Sequence, residues 1–168
     1  MKKNDFTEDI LRYGGGSSRG MPAFQRFWRK YHLCRFLPLK LIYAALFFFF
    51  RRINLCDFPL NIAIGPGLYL GHPYCIVINP ETVIGSYVNI AKGVTIGQTN
   101  RGRNQGSPII GNNVWIGTNA VIVGKIKIGD DVLIAPNSYV TVDIPSHSVV
   151  YGNPCIIKVK PNATQGYI

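Results

Sequence analysis

Residues 57–160 predict a mainly β chain wound as a parallel β-helix with three flat faces, and three regularities lead to that fold. Read at every sixth place, the sequence shows Ile78, Ile84, Ile90 and Ile96, then after an interruption Ile110, Ile116, Ile122, Ile128, Ile134 and Val140. Directly behind these stand small residues, Gly85, Ala91, Gly97, Gly111, Gly117, Gly129 and Ala135. Three places further on, Val88, Val94, Val114, Ala120, Val132 and Ser138 recur. A period of six matches neither the 3.6 of a helix nor the 2 of a plain strand. One hexad per face does match it. The β-branched residue then points inward and stacks on its equivalent about 4.8 Å along the axis. The small residue behind it falls at a corner, where glycine escapes the Cβ penalty.

Upstream of the repeat the chain divides in two. Residues 1–22 are polar, contain the run Gly14-Gly15-Gly16-Ser17-Ser18, and read as a flexible arm. Residues 23–56 read as a basic-aromatic helical segment, with Phe24, Phe27, Trp28 and Tyr31 set among Arg26, Arg29, Lys30 and Arg35. The run from Phe36 to Phe50 carries only Lys40 as a charge and is closed by Arg51-Arg52. A membrane-crossing helix needs about 20 apolar residues, and this run is shorter and contains Pro38. Two readings stay open for residues 23–54. They pack on the β-helix end or a neighbouring subunit, or they lie on a membrane surface with the basic residues on anionic lipid. Four consecutive phenylalanines cannot all face one way on a helix, which favours lipid or an oligomer contact.

The 168 residues include 18 Lys and Arg against 8 Asp and Glu, for a net charge of +10. Most of that excess lies before residue 57, so it describes the helical segment rather than the repeat. No nucleic-acid-binding motif accompanies it, and a nucleic-acid partner is not expected. Cys34, Cys56, Cys75 and Cys155 lack metal-ligand spacing and read as reduced thiols, with a packing role for Cys75. The chain opens polar and charged, without the apolar core of a secretory leader, so a cytoplasmic protein is expected, with the inner membrane face as its alternative placement.

Two interruptions break the period. Leu70 to Ile78 is eight places rather than six, so two extra residues bulge around His72. Ile96 to Ile110 leaves eight residues beyond one hexad, and the polar, basic stretch 98–108 must project from the barrel. Irregularity inside a regular solenoid is where function tends to sit. Residues 161–168 read as a free tail.

The motif [Ile/Val]-[Gly/Ala]-x-x-[Val/Ala/Ser]-x resembles the hexapeptide-repeat acyltransferases over roughly residues 57–158. The closer resemblance is to their serine acetyltransferase-like branch, which includes small O-acetyltransferases of capsule and exopolysaccharide clusters. The resemblance implies a left-handed β-helix, although the general rule for parallel crossovers favours the opposite hand. It also implies a homotrimer, acetyl-CoA as co-substrate and no metal. The stretch Leu70-Gly71-His72-Pro73-Tyr74-Cys75-Ile76-Val77-Ile78 is similar to the family's segment around its general-base histidine, which makes His72 the candidate base. Imidazole titrates near neutrality and suits removal of a hydroxyl proton. Asp57 stands fifteen places upstream, the interval that serine acetyltransferases keep, and is the expected orienting carboxylate; its other reading is a stop for the preceding helix. The resemblance places coenzyme A against Gly117, Thr118 and Ala135, with Lys158 and Lys160 toward its phosphates. It gives the loop residues Gln98, Asn100, Arg101, Arg103 and Ser107 a part in covering the acceptor from an adjacent subunit. Plain corner geometry also explains the first three positions.

Two departures bear on the acceptor. Serine acetyltransferases carry an Asp where this chain has Gly71, and an Arg-His pair where it has Gly106-Ser107. Those groups hold the amino acid's ammonium and carboxylate. The expected function is therefore acetyl-CoA-dependent O-acetylation of a saccharide hydroxyl in surface polysaccharide synthesis, by direct transfer with His72 as base. The alternatives are a serine O-acetyltransferase of cysteine biosynthesis and a non-catalytic trimeric scaffold at the membrane. A metal-dependent anhydrase on this solenoid would need three converging histidines, and only His72 and His147 lie in the repeat.

Overall fold

A computed structural model of the chain describes residues 3–15 and 17–168, with side chains from Asp5 onward. Three helices come first: α1 (Lys3–Arg12), α2 (Ala23–Leu33) and α3 (Leu37–Ile53). Pro38 sits in the first turn of α3, where its missing N–H has no intrahelical partner to lose. Arg51 and Arg52 in the last turn complement the negative end of the helix dipole.

The solenoid follows, three short strands to each coil. β1 (Ala63–Ile64), β2 (Tyr69–Gly71) and β3 (Val77–Ile78) make the first coil; β4 (Val83–Ile84), β5 (Asn89–Ala91) and β6 (Thr95–Gly97) make the second. β7 (Ile109–Ile110), β8 (Val114–Ile116) and β9 (Val121–Val123) make the third; β10 (Lys127–Ile128), β11 (Val132–Ile134) and β12 (Tyr139–Val140) make the fourth. A partial fifth coil carries β13 (Ser148–Tyr151), and β14 (Ile156–Val159) turns back antiparallel along it. The strands stack in parallel as three faces: β1-β4-β7-β10, β2-β5-β8-β11-β13, and β3-β6-β9-β12.

The inward columns are those the period of six predicts. Ile64, Ile84, Ile110, Ile128 and Ile144 line the first face, and Leu70, Ile90, Ile116, Ile134 and Val150 the second. Ile78, Ile96, Ile122 and Val140 line the third, and all of these residues are buried. Phe58 heads the third column, because Asp57 bridges Val77 as a single added rung. An open solenoid end would leave such a column in water. Here Phe24 and Trp28 of α2 set their rings 5.6 and 5.4 Å from Phe58, and Phe47 of α3 adds a third contact.

The small residues of the first-face corner have a different cause from the one expected. Gly65, Gly85, Gly111 and Gly129 are not in the left-handed region; their coils simply stack too closely for a side chain. A Cβ on Gly85 would lie 2.5 Å from the Gly111 carbonyl oxygen, and one on Gly111 would lie 2.7 Å from that of Gly129. The left-handed corner positions are held largely by non-glycine residues, Tyr87, Asn113, Asp131 and His147 at one corner and Asn119 and Asn137 at another. Asn and Asp tolerate that region best because their short side chains bond locally.

Both ends of the chain depart from the expectation of free segments. Within the expected arm, Met1, Lys2 and Gly16 lie outside the described residues, but 3–12 form α1, whose Asp9 is buried. Arg29 grips that carboxylate in bidentate fashion at 2.7 and 2.9 Å, and Gln25 and the Leu68 amide complete its bonds. Burial pushes the Asp9 pKa up, against the opposing pull of Arg29 and Gln25. At the other end, residues 161–168 fold back over the outer side of the second face. The Asp131 carboxylate accepts from the Ala163 amide, the Thr164 amide and the Thr164 hydroxyl at 2.7–3.0 Å. Tyr167 then packs on Trp115, and Asn89 donates to its carbonyl. Partial burial opposes ionisation of Asp131, but the donors from Thr164, His147 and Ala163 outweigh it and hold the carboxyl at about 2.

Candidate active site

The bulge at His72 has a local geometric origin. Gly71 pairs with Ala91, and Val77 pairs with Thr95, so six places on the first coil face four on the second. The surplus is absorbed by a turn of three residues, in which the Tyr74 amide donates to the His72 carbonyl at 2.7 Å across Pro73. His72 itself is left-handed, with φ +51°, and its ring is exposed at the corner between the second and third faces. The Gly93 amide then bonds the Tyr74 carbonyl, which restores the register of the stack.

The strand register sets several other candidates on the same corner. Gly71 stacks on Ala91, and extending the pairs Ile90–Ile116 and Ile116–Ile134 by one residue brings Gly117 and Ala135 into that column. Thr118 follows Gly117 at the corner itself, and the Gly117 and Ala135 amides already serve the stack by donating to Ile134 and Val150. At the end of the column Lys158 holds its ammonium 5.6 Å from the Tyr151 ring centroid. Lys160 is not with it. Its amide bonds the His147 carbonyl, at the opposite edge of the second face, so the two lysines do not form one cluster.

Asp57 stands on the third face, in the rung beside Val77, and its side chain is 72% exposed. The Cys75 amide bonds the Asn54 carbonyl, so the His72 turn lies against the segment that leads into Asp57. No hydrogen bond joins the His72 ring to the Asp57 carboxylate. Arg51 Nη1 reaches that carboxylate instead, at 3.3 Å, and also donates to the Phe58 carbonyl. Arg51 therefore belongs to this site, although the sequence presented it only as the basic end of an apolar run. Cys75 is exposed beside His72 rather than packed.

The loop 98–108 leaves from a different corner, between the third and first faces. It is a small hairpin in which Thr99 and Gly106 exchange two bonds at 3.0 Å. Asn104 ties it to the Thr141 carbonyl and the Lys125 amide, and Ser107 donates to Asn79. Gln98 donates to Asn100, and the Arg101 and Arg103 side chains project outward. The third face separates this loop from its own chain's His72.

The other two histidines are engaged structurally. His32 bonds the Leu60 carbonyl at 2.8 Å, and burial pushes its pKa down. His147 pairs with Asp131 through Nδ1 at 2.8 Å. Among the described residues no three His, Cys, Asp or Glu side chains converge as a metal site.

Residues 107–141 match the family model described as bacterial transferase hexapeptide (six repeats). Over 91 residues the chain is 43% identical to serine acetyltransferase 4 of Arabidopsis thaliana, a stretch covering 54% of this chain and 26% of that protein. It is 40% identical over 90 residues to a serine acetyltransferase of Helicobacter pylori, covering 54% of this chain and 53% of that one. The solved serine acetyltransferase of Brucella abortus superposes with a TM-score of 0.76 at 26% identity, across 96% of this chain and 70% of that chain. Residues 107–141 therefore match a hexapeptide-repeat model, and the fold is that of a left-handed parallel β-helix. Its relatives are serine acetyltransferases, and it spans about a quarter of the plant relative and half of the bacterial one.

These relatives overturn the saccharide acceptor expected from Gly71 and Gly106-Ser107. That expectation treated two positions as the whole of amino-acid recognition. A pocket that a projecting loop completes draws on other groups as well, so two missing side chains do not define the acceptor.

Proposed function

We propose that this protein transfers the acetyl group of acetyl-CoA to the hydroxyl of serine, working as a homotrimer in the cytoplasm. The observation that carries the reading is the shared corner: His72 follows Gly71 at the head of the column that holds Gly117 and Ala135, and Thr118 follows Gly117 at the same corner. A pantetheine arm laid along that column brings its thioester to the exposed imidazole.

His72 takes the serine hydroxyl proton as the oxygen attacks the thioester carbonyl. The tetrahedral intermediate then expels the coenzyme A thiolate, which recovers the proton from the imidazolium. Nothing is left covalently attached to the enzyme, in keeping with a site where, among the described residues, no serine or cysteine is bonded to a base. Asp57 orients the ring once Arg51 shares or releases it, and the acceptor is positioned by loop residues of the adjacent subunit. Arg101 and Arg103 are suited to the serine carboxylate, since a guanidinium matches a carboxylate in two parallel bonds.

The test is thiol release from acetyl-CoA with L-serine, comparing the wild type with His72→Ala. Release that falls at least about 100-fold in the variant supports the base and the acceptor together. Absence of serine-dependent release from the wild type, or an undiminished variant, overturns the reading.

A further inference from the structure

The helix α3 presents an apolar stripe to solvent. Its inner side is accounted for: Tyr43 and Phe50 stack on Phe27, and Phe47 is buried near Phe58. On its outer side Leu41, Ile42, Ala45, Phe48, Phe49 and Ile53 recur at the i, i+1, i+4, i+7, i+8, i+12 spacing of one helical face. The five large ones are each 44–61% exposed. A contiguous apolar face of this kind marks an interaction surface. Phe24 and Trp28 of α2 are buried, so the stripe lies on α3.

The charge around the stripe indicates what covers it. Between Asp9 and Asp57 the sequence contains no Asp or Glu and nine Lys or Arg. Arg29 is neutralised by Asp9, and Arg51 by Asp57. Arg35 just before α3 and Arg52 at its end remain exposed, and Lys40 flanks the stripe above the Tyr31 ring. A second copy placed face to face would set these cations against their own kind, with no acid in the segment to pair them. An anionic lipid surface satisfies both features, because the acyl boundary takes the stripe and the headgroup phosphates take the rim. Among the described residues no helix is long and apolar enough to cross a membrane. A helix lying flat in the interface needs no such length.

We propose that α3 seats the protein on the surface of an anionic bilayer, with Leu41, Ile42, Phe48, Phe49 and Ile53 in the lipid and Arg35, Lys40 and Arg52 at the headgroups. The segment Asn54–Cys56 runs directly from this helix into Asp57, so the seating places the candidate active site beside the membrane. The proposal does not depend on which acceptor is acetylated.

Flotation of the full chain with vesicles tests it. Wild type should float with phosphatidylcholine vesicles containing about a third phosphatidylglycerol, and not with phosphatidylcholine alone. Ile42→Glu with Phe49→Glu should lower that partition at least about tenfold, since both side chains are exposed and their loss spares the core. Arg35→Gln with Arg52→Gln should weaken it several-fold and remove part of its salt dependence. Circular dichroism and the assembly mass by light scattering, read without lipid, report folding and oligomeric state. Wild type that stays in solution with the anionic vesicles overturns the proposal, as does a folded Glu variant that floats equally well. An assembly mass that drops in the Glu variant would give the stripe to a second copy and overturn it as well.

Discussion

Arg51 Nη1 lies 3.3 Å from Asp57 Oδ1, the carboxylate expected to orient the His72 ring. The carboxylate is thus held by a cation, and among the described residues no hydrogen bond reaches the His72 ring. A pair at this distance whose carboxylate is exposed stabilises the fold little, because water and salt screen it. Arg51→Gln should therefore change stability by less than about 1 kcal/mol, as read from the denaturation midpoint. Asp57→Asn removes the charge that would support an imidazolium while keeping the shape. It should lower kcat about 100-fold with a much smaller change in KM for serine. Equal kinetics for Asp57→Asn and wild type would remove Asp57 from the mechanism.

The glycine stack makes a separate prediction about stability. Gly85→Ala places a methyl 2.5 Å from a backbone oxygen that cannot rotate away. It should cost about 1–3 kcal/mol by chemical denaturation, the range for overpacking a dense interior. Gly97→Ala meets only a Val123 methyl at 3.3 Å, which can yield, and should cost less. Equal costs at the two positions would mean that the corner relaxes more readily than the stack implies.

Asp9→Ala should be among the more damaging single changes outside the solenoid. It leaves Arg29 buried without its counter-ion, and losing one partner of a buried pair costs about 3–5 kcal/mol. Thermal unfolding is the measurement. A loss below about 1 kcal/mol would mean that water enters and solvates the guanidinium.

Asp131 gives a pH dependence with a defined sign. Its folded carboxyl is held at about 2, below the ordinary 3.8, so the folded state binds this proton less readily than the unfolded state. The stabilisation is complete above 3.8 and is lost as the pH falls through about 2. Asp131→Asn should be less stable than wild type at neutral pH, and the gap should close on acidification across that window. The variant should also release the tail, making the bond after Tyr167 more accessible to chymotrypsin in native conditions. A tail equally protected in both proteins would show that Trp115 and Asn89 suffice to anchor it.

The bulge and the projecting loop of the candidate site were legible in the sequence where they interrupt a count. Two extra residues around His72 and eight after Ile96 mark the bulge and the loop because the hexads on either side are regular. Arg51 carried no comparable signal. Its basic charge beside four phenylalanines reads as a helix end, and only the fold brings its guanidinium to Asp57. Gly71 and Gly106 do not define the acceptor for a related reason: recognition depends on which groups converge in space, not on single positions.

The six-residue period is enough to define the solenoid, its inward columns and the location of its two irregularities. Each coil repeats the same contacts with its neighbours, so a one-dimensional period carries that geometry. The tertiary structure decided the rest. It set Asp9 against Arg29, Asp131 against Thr164 and Tyr167 against Trp115, and it turned one face of α3 inward and left the other exposed. These contacts join residues tens of positions apart with no repeating interval, and burial of charge and apolar surface, not local pattern, selects them.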